Sequence, residues 1–302
     1  MRPDEIGGVL PVLYSFFDDG GNLRLDGFRH QCEHCLANGA NGVVLFGFVT
    51  QFYRLSFAEK VAALRETARS LEGRGTLGVT IMEASVAGQM ELIRVARDEG
   101  ADWVILQPPL GPPARAPDWM EMLKPLIDEA GIPVAVQNAL IAGTCLSNGD
   151  LITLQTECPN LMGVKAETSS EDVAAFARNC RDRFRILTGN WGVEYPFFLR
   201  SGVHGVIPAP NFVKEQVALH KAAIREDWEK VDQIHAQILP LMQFIRERPA
   251  PEEQIILGKQ AYSWRTSYTV GTNRKPGPAS INSHILAHAH NLLGAMMRQS
   301  VE

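Results

Sequence analysis

The chain has 302 residues, 45% hydrophobic and 21% charged, and its 29 basic and 34 acidic side chains leave a formal charge of −5. That balance excludes a disordered chain, a collagen-like repeat and a disulfide scaffold, and it offers no electrostatic case for wrapping nucleic acid. The length suits about two domains or a single α/β barrel. No window holds the roughly 18 uninterrupted apolar residues of a membrane helix, and the start at Met1-Arg2-Pro3 carries no signal-peptide pattern, so no membrane association is expected. Five cysteines, an odd number, suit a reducing compartment, and the expected location is the cytoplasm.

From the amino terminus, strands are expected at residues 9–15, 43–47, 76–80, 104–107, 134–138, 162–165, 186–189 and 206–208. Between them lie helical patterns, such as 86–99, and 147–157 with Ser147 as its cap. At four junctions a glycine (Gly39, Gly100, Gly131 or Gly202) sits where a helix ends and an apolar run follows. Glycine there takes the left-handed conformation at low steric cost and turns the chain into a strand. The runs are apolar without alternation, as in a parallel sheet covered on both faces. Eight such units in series predict a (β/α)8 TIM barrel over residues 1–225, with a doubly wound open sheet as the alternative. After Asp227 only helices are predicted: 228–246, a stretch after Pro251, and 281–297, with a loop at 273–278. Residues 226–302 therefore read as a carboxyl-terminal helical segment packed on the barrel.

In such a barrel the active site lies at the carboxyl ends of the strands, so the polar residues that end each apolar run are the candidates. They are Tyr14 and Ser15, Thr50 and Gln51, Thr80, Gln107, Gln137 and Asn138, Lys165 and Glu167, Thr188 and Asn190, and Asn211. Lys165 stands apart, because Leu161-Met162-Gly163-Val164-Lys165-Ala166 places an ammonium in an otherwise apolar strand, while the other lysines fall in predicted helices or loops. An unpaired buried lysine shifts toward its neutral form, and a neutral amine attacks a ketone to give a Schiff base, an electron sink for breaking bonds beside the carbonyl. A lysine paired with Glu167, or snorkelling from a strand end, would have the same sequence. On spacing alone both readings stand.

The segment Gly163-Val164-Lys165-Ala166, with Gly189-Asn190-Trp191 and Gly205-Val206-Ile207-Pro208, resembles the dihydrodipicolinate synthase and N-acetylneuraminate lyase family of class I aldolases. The resemblance runs along nearly the whole chain. It implies the same barrel with a helical extension, and it makes Lys165 the imine-forming residue. Three departures stand out. The family's Gly-Thr-Thr-Gly-Glu loop after strand two reads Gly47-Phe48-Val49-Thr50-Gln51; the tyrosine of its strand-five Tyr-Asn pair is replaced by Gln137 beside Asn138; and its aromatic pair after strand four reads Pro109-Leu110. An amide is no general acid or base near neutral pH, so the synthase reaction itself is not expected.

The branch that dehydrates 2-keto-3-deoxy sugar acids, such as the 2-keto-3-deoxy-L-arabonate dehydratases, looks similar at several of these positions: Gln137, the run Gly143-Thr144-Cys145-Leu146-Ser147, the strand end Lys165 to Thr168, and Trp191. The implied function is a Schiff-base-forming lyase acting on a small-molecule 2-oxo acid, foremost the dehydration of a 2-keto-3-deoxy sugar acid. A pyruvate-dependent aldolase or hydratase-aldolase is the alternative, with Phe48, Phe52, Tyr53 and Trp191 suggesting aromatic substrates. A retired member that only binds a 2-oxo acid is the third. Lys165 and Gln137 are the expected catalytic residues, and Ser15, Phe48, Val49, Thr50, Asn138, Glu167, Gly189, Trp191 and Ile207 the expected substrate-binding ones. Glu167, Ser15, Tyr14 and a bound water compete as the group that moves the proton. The family resemblance further implies a homo-oligomer, tetramer or dimer.

No metal, cofactor or nucleic-acid partner is expected. Cys32-Glu33-His34-Cys35 has a CxxC spacing but lies in a predicted helix, where Phe28, Cys32, Cys35 and Leu36 form an apolar stripe. His284, His288 and His290 lack a carboxylate partner in sequence, and no Walker loop or GxGxxG follows a strand.

Overall fold

The computed structural model describes residues 6–108, 114–140, 143–278 and 280–299. The Pro109-Leu110 segment lies outside the described residues. Eight parallel strands appear in series: β1 (Gly8–Val9), β2 (Gly42–Leu45), β3 (Thr76–Ile81), β4 (Trp103–Leu106), β5 (Val134–Ala139), β6 (Leu161–Glu167), β7 (Arg185–Thr188) and β8 (Gly205–Val206). They pair in the order β1-β8-β7-β6-β5-β4-β3-β2. A parallel bridge between Val12 and Val44, with the Leu13 amide donating to Val44 O at 3.0 Å, brings the first strand's continuation onto β2 and closes the ring. The architecture is a (β/α)8 barrel.

The helices between strands are α1 (Leu25–Ala37), α2 (Phe57–Leu71), α3 (Val86–Asp98), α4 (Ala116–Glu129), α5 (Asn148–Glu157), α6 (Ser170–Cys180), α7 (Tyr195–Ser201) and α8 (Val213–Ile224). Serine caps open several of them. Ser56 with Glu59, and Ser147 with Asp150, form reciprocal capping boxes that satisfy amides the first helical turn leaves free. At the other end, the four junction glycines all adopt positive φ, between 72° and 99°. Strand one is shorter than the expected 9–15. Pro11 has no N–H for the ladder, and the chain instead continues through separate bonds, Leu10 N to Val206 O at 3.0 Å and Val12 N to Pro208 O at 2.7 Å.

Both faces of the strands are buried, which is why their sequences do not alternate. Outward residues such as Val43, Leu45, Val104, Val136, Val164 and Ile186 pack with the helices, while Val44, Trp103, Ile105, Ala135, Leu187 and Ile207 fill the barrel interior. Trp103 forms part of the floor, and Gly78 makes room for it: a Cβ at Gly78 would stand 2.6 Å from the indole. One step up, the same inward positions carry Thr80, Gln107, Gln137 and Lys165. The interior thus changes from apolar to polar on the way to the carboxyl ends.

Three further helices follow: α9 (Trp228–Arg246), α10 (Pro251–Thr266) and α11 (Ser283–Gln299). They share an apolar cluster with Phe212 that includes Ile238, Met242, Ile256, Leu257 and Leu293. Helix α10 also reaches the barrel, where Ile255 and Tyr262 pack with Val12, Tyr14, Phe16 and Val49. Cys32 and Cys35 are buried on α1, and burial pushes the Cys32 thiol up to about 12. Among the described residues no helix is long and apolar enough to cross a membrane, and no group of three His, Cys, Asp or Glu is arranged for a metal ion.

Candidate active site

A cavity of about 690 Å³ opens at the carboxyl ends of the strands. A larger hollow, about 1050 Å³, lies at the amino ends, around Gly8, Asn41, Thr76 and His204. Volume does not decide between them. The smaller cavity contains the lysine and the carboxylate that can react, at the barrel end where loops and strand tips converge.

The register places Gln137 opposite Lys165 and Ala139 opposite Glu167. Lys165 Nζ stands 3.3 Å from Glu167 Oε2, with side chains 12% and 15% exposed. Lys165 is thus paired with Glu167 and at the same time lines the cavity. The same Glu167 oxygen accepts from Gln137 Nε2 at 2.6 Å, and Gln137 Oε1 accepts from Gln107 Nε2 at 2.6 Å. A carboxylate only accepts, so Gln137 presents its NH2 to Glu167 and its oxygen to Gln107. The other oxygen of Glu167 accepts from the backbone amide of Asn190 at 3.1 Å. A row of amides thus holds the Glu167 carboxylate against Lys165 at the cavity wall.

That backbone donor comes from a strained turn. Asn190 and Trp191 both have positive φ, 52° and 62°, a conformation that is rare for bulky side chains. The turn delivers the Asn190 amide to Glu167 and seats Trp191 over α10, where a Cβ at Gly258 would lie 3.0 Å from the indole. Gly189 does not line the cavity but leaves space for it: a Cβ there would meet Glu167 Oε1 at 1.9 Å and Lys165 Cε at 3.0 Å. One side of the wall is apolar and aromatic, with Phe48, Val49, Phe52, Tyr53, Trp191 and Ile207, and polar residues such as Thr168, Ser170 and Glu194 complete it.

Besides Gly189, three expected binding residues are not at the cavity. Asn138 is next to Gln137 in the strand and so points to the opposite face; its Nδ2 donates to Leu146 O and its Oδ1 accepts from Leu146 N, both at 2.8 Å. Ser15 is fully buried and donates to Thr50 O at 2.6 Å, while Thr50 Oγ1 donates to Leu13 O at 2.7 Å. These three tie the loops together. Tyr14 is likewise enclosed: its hydroxyl donates to Asn211 Oδ1 at 2.7 Å, and burial pushes its pKa well up. Glu167 alone among the side chains considered for proton transfer lies in the cavity beside Lys165.

Sequence reasoning did not single out Arg246 and Lys259. Arg246, in the last turn of α9, lines the cavity mouth, and its Nε donates to Asn190 Oδ1 at 2.6 Å. It belongs to a segment with no recognisable motif. Lys259 is fully buried on α10, and the available signal is its apolar surroundings, Ile255-Ile256-Leu257 before it and Ala261-Tyr262 after it.

Fold and site together define a (β/α)8 barrel with an inward lysine at the sixth strand, open to a cavity at the carboxyl ends. The sequence profile described as the dihydrodipicolinate synthetase family matches residues 5–273, and the chain belongs to that family, whose members are lyases. It is similar to a 4-hydroxy-tetrahydrodipicolinate synthase of Methanospirillum hungatei JF-1, 28% identical over 268 residues, covering 84% of this chain and 90% of that one. The protein of that name from Phenylobacterium zucineum is 26% identical over 249 residues, covering 81% and 84%. Among solved structures, a 4-hydroxy-tetrahydrodipicolinate synthase from Methylacidiphilum fumariolicum SolV superposes with a TM-score of 0.89 at 20% identity, covering 98% of this chain and 97% of that chain. YagE, a prophage protein from E. coli K12 in complex with pyruvate, superposes with a TM-score of 0.88 at 19% identity, covering 97% and 99%. At these identities the likeness is one of fold.

Proposed function

We propose that the protein is a Schiff-base-forming lyase of 2-oxo acids, and that its reaction is the dehydration of a 2-keto-3-deoxy sugar acid. The observation that carries this reading is the Lys165–Glu167 pair, 3.3 Å apart and held by Gln137 at the wall of an open cavity. In the proposed sequence Lys165 gives a proton to Glu167, and its neutral amine adds to the C2 ketone. Loss of water then forms the imine, which acidifies C3. Glu167, once again a carboxylate, takes the C3 proton and returns it to the departing C4 hydroxyl, which leaves as a second water. Hydrolysis of the imine frees Lys165 and a 2-oxo acid poorer by one water. The substrate carboxylate would lie against the backbone of Phe48 and Val49. Gln137 orients Glu167 and transfers no proton, since an amide cannot.

The relatives are named synthases, and the proposal differs from that name. Phe48 and Val49 stand where the family loop has two threonine hydroxyls, and Gln137 stands where it has its tyrosine. A second reading, a pyruvate-dependent hydratase-aldolase for aromatic substrates, is favoured by the wall of Phe48, Phe52, Tyr53 and Trp191. The two share the imine and diverge at the bond that breaks, C4–O or C3–C4. A homo-oligomer, tetramer or dimer, in the cytoplasm belongs to the same proposal and rests on the family resemblance.

Intact-protein mass after borohydride reduction with pyruvate and with a panel of 2-keto-3-deoxy sugar acids tests the reading. The expected result is a covalent adduct in the wild type that Lys165→Ala abolishes. Dehydrated product without pyruvate supports the dehydratase, and pyruvate with an aldehyde supports the aldolase. In Glu167→Gln the expected rate of product formation falls by roughly 10²–10⁴. No adduct with any member of the panel would overturn the lyase reading in favour of a binding protein.

A further inference from the structure

The proposed chemistry uses one lysine, and the protein buries a second. Lys259 Nζ donates to Gln51 Oε1 at 2.6 Å and lies 5.7 Å and 5.2 Å from the ring centroids of Phe16 and Phe17. The other end of the Gln51 amide, Nε2, donates to Glu252 Oε2 at 2.9 Å. Glu252 Oε1 in turn accepts from Arg54 at 2.7 Å and from the Tyr53 hydroxyl at 2.8 Å. Lys259 and Glu252 therefore grip one glutamine from its two ends. A methionine or leucine would fill the Lys259 site without the cost of burying a charge, so filling space does not account for an ammonium there.

Gln51 is a telling residue to hold. Its backbone is left-handed, with φ 55°, and it joins two single turns of 3₁₀ helix, Phe48–Thr50 and Phe52–Arg54. Phe48, Val49, Phe52 and Tyr53, from the two turns that flank it, line the cavity. A non-glycine residue in that conformation persists when its surroundings over-determine it, and here the side chain is fixed at both ends.

We propose that Lys259 is a positioning residue of the active site: through Gln51 it holds the Phe48–Thr50 turn against the cavity and so sets the affinity for the 2-oxo acid without touching it. The substrate part of this statement rests on the Schiff-base reading; the hold on the turn does not. The ammonium is the form that grips Gln51 through a charge-assisted bond. Burial pushes the Lys259 pKa down to about 7, opposed by the charge of Glu252. Besides Glu252 on its own helix, the charged and titratable groups around it are Arg54 and Tyr53 on the second turn and, across the Phe17 ring, Arg274 with its partner Glu59. The grip on Gln51 weakens as pH rises through 7.

The test compares wild type with Lys259→Met for the pyruvate concentration that half-saturates borohydride trapping, at pH 6 and pH 8, and for the limiting trapping rate. A protein competent in one protonation state loses affinity in proportion to that state's population, so the variant should need roughly tenfold more pyruvate than wild type at pH 6 and nearly the same amount at pH 8. The limiting rates at each pH should stay within about twofold. Equal half-saturation of the two proteins at both pH values would overturn the proposal, and so would a variant-to-wild-type ratio that does not change with pH. Amide exchange over residues 46–54 of the wild type, corrected for intrinsic rates, is the second measurement, and it needs neither the variant nor an imine. Protection of that segment should fall between pH 6 and pH 8, and unchanged protection would overturn the proposal. Failure of trapping in the wild type, with the pH-dependent protection present, would strike the Schiff-base reading alone.

Discussion

Glu167 owes its place in the cavity to a neighbour that has no side chain. The position a Cβ would take at Gly189 is already occupied by Glu167 Oε1, 1.9 Å away. The obstructing atom is the free end of a side chain, so Gly189→Ala has an inexpensive way out: the carboxylate swings aside and leaves Lys165 and the Asn190 amide. Stability should fall by about 1 kcal/mol, while imine trapping and product formation drop about 100-fold, as expected when a reacting group is displaced by about an ångström. Thermal unfolding beside a trapping assay checks the split, and equal retention of both would show that Glu167 need not stand there. At this scale the sequence was legible where a residue violated its surroundings. Lys165 in an apolar strand is such a violation. Asn138 lies off the cavity because polar neighbours at a strand end look alike in sequence until alternation assigns their faces: Gln137 points inward and Asn138 cannot. The row from Gln107 to Glu167 was invisible, since it depends on the register between three strands.

The elements were easier to read because each is encoded locally. Glycines after helices, serine caps before them and apolar runs between them located all eight strands to within a residue or two, except β1, whose ladder Pro11 interrupts. What locality does not encode is how the inner faces interlock. Trp103 on β4 fits only because its neighbour on β3 is Gly78, whose Cβ position is 2.6 Å from the rigid indole. No flexible side-chain end lies there to move aside, so Gly78→Ala must push the tryptophan or bend a strand. The expected loss is about 1–3 kcal/mol, in the range of overpacked cores, with the fold retained. Denaturant unfolding at constant m-value checks the size of the loss. The variant tests whether the polar row above depends on the floor: imine trapping should change much less than in Gly189→Ala.

At the scale of the whole molecule, the carboxyl-terminal helices contribute to the site as well as covering the barrel: α9 supplies Arg246 at the mouth, and α10 supplies Gly258 beneath Trp191 and the buried Lys259. Their dependence on pH is predictable from burial. The Lys259 pKa lies near 7 when folded, against an ordinary value of 10.5, because burial disfavours the ammonium. Between those limits the unfolded chain carries a proton that the folded protein lacks, so stability rises with pH across this window, by up to about 1.4 kcal/mol per pH unit. His34 and His204 act in a lower window. Burial pushes both down to about 4, aided at His34 by Arg265 and at His204 by Arg185 and Arg181. Stability should therefore fall as pH drops from 6.5 toward 4, where the unfolded chain takes up protons that the folded one refuses. The expected curve climbs from pH 4 to 6.5 and again from pH 7 toward 9. Above that the buried thiols, raised by burial to about 12 at Cys32 and about 11 at Cys158, turn it down, because the unfolded chain loses protons that the folded one keeps. Lys259→Met should flatten the upper climb and leave the lower one. Such a variant would gain stability at neutral pH, where the wild type carries a buried charge, and would lose pyruvate affinity at pH 6. A protein that is steadier when Lys259 is removed but binds its ligand less well holds that lysine for its site. Denaturant midpoints from pH 4 to 10 for the two proteins decide it, and parallel curves would mean that Lys259 does not titrate in this range.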